Sequence, residues 1–260
     1  MSDCKVILVT SCKGGVGKST VAANLAMSLA KRGKRTLLID CDLSNRSLDL
    51  ILGCEDSVLF DISDVVTGKC ELSRAVLTDP RMGLLFFVAG PSFYDGGMTV
   101  SDFGRTVREA RENYEYIIID TPGSVGEAIK LAASDADMAL IVASHQPTSQ
   151  RAAEKTDVTL AELGIEDRRL IINSFDAEAV LSGTRPGIID IIDKTRVQII
   201  GVVPYSRPLA IMQEDGLLSC ERKKLDTTVA FDNIAARVCG ESIPLMQGFK
   251  YGKRRKLILA

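Results

Sequence analysis

Cys12-Lys13-Gly14-Gly15-Val16-Gly17-Lys18-Ser19 is the stretch that decides the reading of this chain. The apolar run Val6-Ile7-Leu8-Val9 precedes it and predicts a buried strand. Val21, Ala22, Leu25, Ala26 and Leu29 follow it at helical spacing. A glycine-rich turn between strand and helix aims several backbone N–H groups at one point, at the positive end of the helix, and so forms a polyphosphate site. Lys18 would add a point charge at the β/γ-phosphates, and the Ser19 hydroxyl would ligate Mg²⁺. The general phosphate-loop pattern begins with glycine, and here that place is Cys12.

The remaining composition bounds the class. The 260 residues suit one large α/β domain, expected over 1–245, with a basic tail over 246–260. A net charge of −2 supplies no global field for nucleic acid. No apolar run approaches the roughly 20 residues needed to span a bilayer. The first five residues lead almost directly into a strand, so no secretory leader is expected. Seven cysteines at irregular spacing do not resemble a disulfide framework, and one histidine with no C-x-x-C pair gives little support to a metal–thiolate site. The expected location is the cytoplasm, or peripherally the inner face of the cell membrane.

Apolar runs recur at 6–9, 37–39, 84–88, 117–119, 138–143, 170–172 and 199–203, with helix-like stretches between most of them, such as 100–113. This alternation predicts an α/β fold: a mostly parallel twisted sheet of about seven or eight strands with helices on both faces. The segment 90–99, rich in glycine, is the expected flexible excursion. Leu37-Leu38-Ile39-Asp40-Cys41-Asp42 and Ile117-Ile118-Ile119-Asp120-Thr121-Pro122-Gly123 each end an apolar run in carboxylate. Parallel strands present their carboxyl ends to ligands, so both place acid beside the phosphate loop.

Lys13-Gly14-Gly15-Val16-Gly17-Lys18-Ser19 resembles the deviant Walker A motif of the MinD/ParA family of P-loop ATPases. That family's first glycine is not always kept, which accommodates Cys12. The resemblance makes Lys13 the signature lysine that reaches the nucleotide of a partner subunit in an ATP-dependent homodimer. Asp40-Cys41-Asp42 followed by Leu48-Asp49 resembles the Asp-x-Asp element, which implies that Asp42 orients the attacking water and Asp40 supports the Mg²⁺ shell. Asp120-Thr121-Pro122-Gly123 resembles Walker B and switch II, with the glycine one place earlier than in many members and Ser124 after it. Asn173 and the stretch Gly201-Val202-Val203-Pro204-Tyr205-Ser206 resemble the two base-contacting segments. The implied nucleotide contacts are Lys13, Gly14, Gly15, Val16, Gly17, Lys18, Ser19, Thr20, Asn173, Pro204 and Tyr205. The implied metal ligands are Ser19, Asp40 and Asp120, and the implied catalytic set is Lys13, Lys18 and Asp42. ATP and Mg are the cofactors. His145 reads as a surface residue rather than a general base.

Cys70-Glu71-Leu72-Ser73-Arg74-Ala75-Val76-Leu77 and Leu84-Leu85-Phe86-Phe87-Val88-Ala89-Gly90 resemble the MinD branch, whereas Gln146-Pro147-Thr148-Ser149 is less typical. From Gly248 to Ala260 the tail holds five basic residues, no acidic side chain, and Phe249, Tyr251 and Leu257-Ile258-Leu259 as apolar groups. Such a tail attracts anionic headgroups at about 1 kcal/mol per basic residue, and two tails in a dimer act together. Gly252 weakens any helix there, so a merely solvated tail is the competing reading. The expected function is a MinD-type switch ATPase that cycles on and off the membrane with an activating protein partner. A ParA-like DNA partition ATPase and a metal-cluster or cofactor-assembly ATPase are the alternatives, with DNA given no encouragement by the charge.

Overall fold

Strands and helices alternate along the chain in a computed structural model that describes residues 4–43, 45–94, 96–123, 126–222 and 225–249. In chain order they are β1 (Lys5–Thr10), α1 (Lys18–Lys31), β2 (Thr36–Asp40), α2 (Leu48–Leu52), α3 (Ile62–Val66), α4 (Leu72–Ala75), β3 (Leu77–Thr78) and β4 (Leu85–Val88). There follow α5 (Val100–Ala110), β5 (Tyr116–Asp120), α6 (Glu127–Ala133), β6 (Met138–Ala143), α7 (Pro147–Glu162) and β7 (Asp167–Phe175). The chain then runs through α8 (Ala177–Leu181), α9 (Ile188–Thr195), β8 (Ile199–Pro204), α10 (Arg207–Glu214) and α11 (Asp226–Val238).

The sheet has eight strands in the order β3-β4-β2-β5-β1-β6-β7-β8. Every pairing is parallel except that of β3 with β4. All seven apolar runs of the sequence become strands. β3 is an addition, a two-residue antiparallel edge too short to leave a pattern.

Burial on both faces explains why these strands read as continuous apolar runs. Side chains alternate across β1: Val6 and Leu8 join one core layer, Ile7 and Val9 the other. The first layer is covered by α3, α5, α6, α7 and α9 through residues such as Ile62, Phe103, Leu131, Leu160 and Ile191. The second is covered by α1, α2, α10 and α11 through Leu25, Leu48, Leu209 and Phe231.

The packed chain continues past 245. Met246 is buried, Phe249 packs against both core layers, and Asn233 Nδ2 donates to the Gln247 carbonyl at 2.7 Å. Phe249 is thus committed to the domain rather than to an external surface. The rest of the basic tail, 250–260, lies outside the described residues.

Gly201 of β8 faces α11, and a Cβ there would lie 2.2 Å from Ile234 Cγ1. Gly201→Ala is expected to cost about 1–3 kcal/mol through overpacking. Urea unfolding should show a lowered midpoint, and adding Ile234→Ala should cost less than the two single changes summed.

Candidate functional site

β1 lies between β5 and β6, and the chain leaves it to cross over β5 into β2. Ligands of open α/β sheets sit at such a switch point, outside the carboxyl ends of the strands. The register fixes what lines it: Val9 pairs with Asp120, and Asp120 pairs with Asp40. The two carboxylates read separately from the sequence therefore stand side by side, next to the end of β1.

The phosphate loop emerges from β1 over Ser11–Gly17. Gly15 and Gly17 have φ of 73° and 87°, conformations that suit glycine. Gly17 caps α1 with no side-chain hydrogen bond, and the first turn of α1 carries no acidic residue. The positive end of this 14-residue helix is consequently open to an anion. Gly14 and Gly15 are exposed, Val16 is buried, and Lys18 is buried along its stem with no ion pair among the described residues. Thr20 is turned aside, its hydroxyl donating to Gln213 Oε1 of α10 at 3.1 Å.

Asp120 is wholly buried, and neither carboxylate oxygen has a hydrogen-bond partner among the described residues. Burial pushes its pKa up to about 8, helped by repulsion from Asp40, while the nearby Ser19 and Lys18 pull the other way. Asp40 is also wholly buried but is satisfied: its carboxylate accepts from the backbone N–H groups of Asp42 (3.0 Å), Ser47 (3.2 Å) and Leu48 (3.1 Å). Burial still raises it to about 6 against those three bonds. Asp40 thus fastens the loop between β2 and α2. Asp42, less buried, accepts from Asn45 N at 3.0 Å, and Ser47 Oγ donates to Ser19 Oγ at 3.2 Å.

An orphaned buried carboxylate beside a serine hydroxyl fits Mg²⁺, a hard cation that prefers oxygen. The described residues contain no cluster of three or more candidate metal ligands. Mg²⁺ usually takes one or two carboxylates and completes its shell with water and phosphate oxygens.

Gly123 packs directly on the phosphate loop, where a Cβ would lie 2.8 Å from both Gly14 N and Gly14 Cα. Ser124, next in sequence, lies outside the described residues. The base-contacting candidates also converge. Asn173 is buried near the end of β7, Pro204 pairs with Phe175 across β7 and β8, and Tyr205 N donates to the Phe175 carbonyl at 2.9 Å. Tyr205 is exposed and lines a recess of about 230 Å³ with Ser144, His145, Gln146 and Ser174.

His145 is not a surface residue. It is buried, stacked on Phe175 at 4.7 Å, and its Nε2 accepts from Asp176 N at 2.6 Å. Burial lowers its pKa and keeps it neutral. Lys13 leaves the loop surface and donates to Gln146 Oε1 and to Thr148 Oγ1 (3.0 Å). The role of Gln146 and Thr148 had no sequence signal beyond being atypical for the resembled family.

The family model for CbiA, the CobQ/CobB/MinD/ParA nucleotide binding domain, matches residues 7–219. The chain belongs to this family. Within it, the chain is 32% identical to the septum site-determining protein MinD of Bacillus subtilis over 244 residues, 93% of this chain and 91% of that protein. The MinD of Synechocystis is also 32% identical, over 93% of this chain and 92% of that protein. Among solved structures, MinD in the MinC:MinD cell division complex of Aquifex aeolicus superposes with a TM-score of 0.87 at 34% identity, covering 93% of this chain and 98% of that one. The Pyrococcus horikoshii MinD structure, a complex with Mg-ADP, shares the fold at a TM-score of 0.81 and 23% identity. The MinD branch of the CobQ/CobB/MinD/ParA family is therefore where this chain falls.

Because Asp120 binds its proton more tightly folded than unfolded, stability of the nucleotide-free chain should fall as pH rises from about 4 to about 8. Asp120→Asn removes that charge, so calorimetry should find a higher melting temperature than the parent at alkaline pH. The same variant should lose the extra stabilisation that Mg·ATP gives the parent.

Proposed function

We propose that this chain is an ATP-hydrolysing MinD-type switch that dimerises with ATP bound and helps to place the division site. The observation that carries this reading is the pairing of an open phosphate loop with a second lysine directed away from it. Lys18 and the loop amides suit the β- and γ-phosphates, while Lys13 lies outside its own loop, on Gln146 and Thr148. A site completed by another copy would give Lys13 a phosphate to meet.

Hydrolysis here is in-line attack of water on the γ-phosphorus, giving ADP and phosphate. The protein's part is positioning and charge compensation. Ser19 and Asp120 would hold Mg²⁺, which neutralises charge on the β- and γ-phosphate oxygens when bound. Asp40 holds the loop that carries Asp42, so Asp42 stands at the mouth of the site, where it orients the water. His145 takes no part, since its Nε2 is engaged. Asn173 and the Pro204–Tyr205 backbone face the base. Gly123, in contact with Gly14, is placed to report whether a γ-phosphate is present.

An activating protein partner and an anionic membrane are the further parts of the cycle. With Phe249 half-buried against the domain, the tail's remaining apolar groups for a bilayer are Tyr251, Leu257, Ile258 and Leu259. DNA partition is less favoured, because the Bacillus subtilis and Synechocystis relatives compared above carry the MinD name.

Lys13→Ala should leave ATP binding nearly intact and abolish ATP-dependent dimerisation, read by calorimetry and light scattering; equal loss of both would remove the lysine from the interface. Asp42→Ala should lower turnover by about 100-fold and accumulate the ATP-bound dimer. Pelleting with anionic liposomes should require ATP and vanish in a chain ending at Gly248.

A further inference from the structure

The phosphate loop is gripped from outside at both ends. At its start, Cys12 N donates to Thr156 Oγ1 of α7 at 3.0 Å. Thr156 is wholly buried, and its own hydroxyl proton goes to the Ala152 carbonyl at 2.7 Å. The oxygen is therefore fixed as an acceptor, and the Cys12 amide is fixed toward it. This is the place where the general motif has its first glycine. At the far end, Asn173 Nδ2 donates to the Val16 carbonyl at 2.8 Å. The approach is close enough that a Cβ on Gly17 would lie 2.3 Å from that nitrogen.

The geometry points to Thr156 and Asn173 as positioning residues that preset the phosphate loop for polyphosphate, independently of any base. A loop held in its binding shape loses less conformational freedom when the anion arrives. Each brace is a hydrogen bond made by a buried group, and its removal strands a buried partner. Asn173 then has a second task besides facing adenine. This inference rests on the loop being a polyphosphate site, as proposed above.

The test uses a probe with no base. Affinities for Mg·ATP and for Mg·tripolyphosphate are measured by calorimetry on the full chain and on Thr156→Val, Thr156→Ser and Asn173→Ala. Thr156→Val should weaken both probes by the same factor, about fivefold to tenfold, leaving their ratio unchanged. Thr156→Ser, which restores the acceptor, should recover most of the loss. Asn173→Ala should weaken tripolyphosphate as well as ATP, and any extra loss for ATP measures base contact.

Unchanged tripolyphosphate affinity in both Thr156→Val and Asn173→Ala would overturn the proposal while leaving the polyphosphate site standing. A failure of serine to rescue would reduce Thr156 to packing and overturn its half. If the parent chain binds neither probe, the polyphosphate reading falls and the proposal with it. Should Thr156→Val fail to fold, the serine and Asn173 variants still decide the matter.

Discussion

A buried carboxylate with no partner organises this protein. Asp120 ends the strand beside β1 with both oxygens out of solvent and unbonded, next to a second buried carboxylate, Asp40. Burying one such charge is costly, and two abreast repel. The fold answers the two differently. Three backbone amides of the loop after β2 satisfy Asp40, whereas the Asp120 carboxylate has no hydrogen-bond partner among the described residues. Burial, with repulsion from Asp40, raises the affinity of Asp120 for a proton.

The same pair links chemistry to moving parts. Asp40 fastens the β2–α2 loop, which carries Asp42 and reaches the Ser19 hydroxyl through Ser47. On the other side, the segment after Asp120 lays Gly123 on the backbone of Gly14. A ligand at Asp120 would lie next to both loops, because each loop directly follows one of the two carboxylates in sequence.

α7 has a larger share of the site than its position suggests. The loop that starts it offers Gln146, its first turn Thr148, and its third turn Thr156. The first two hold the Lys13 side chain and the third holds the Cys12 amide, so one helix sets both the loop's shape and the resting place of its second lysine. His145, stacked on Phe175 and bonded to Asp176, ties the same connection to the end of β7. The phosphate loop is thus the meeting point of β1, α1, α7 and β7.

The sequence by itself determined seven of the sheet's eight strands, the phosphate loop, the two acid-ended runs and the family. Each depends on neighbours in the chain: glycine in a strand-to-helix turn, or an apolar run that must be buried on both faces. What only the tertiary structure decided depends on partners far apart in sequence. The register places Asp40 against Asp120; amides at 42, 47 and 48 turn Asp40 into a fastening; His145 proves buried; Phe249 packs half-buried against the core. Thr156 lies 144 positions from Cys12 and Asn173 lies 157 from Val16. A threonine on a helix and an asparagine at a strand end have ordinary local roles, so only the packing of the phosphate loop against α7 and the end of β7 gives them this one.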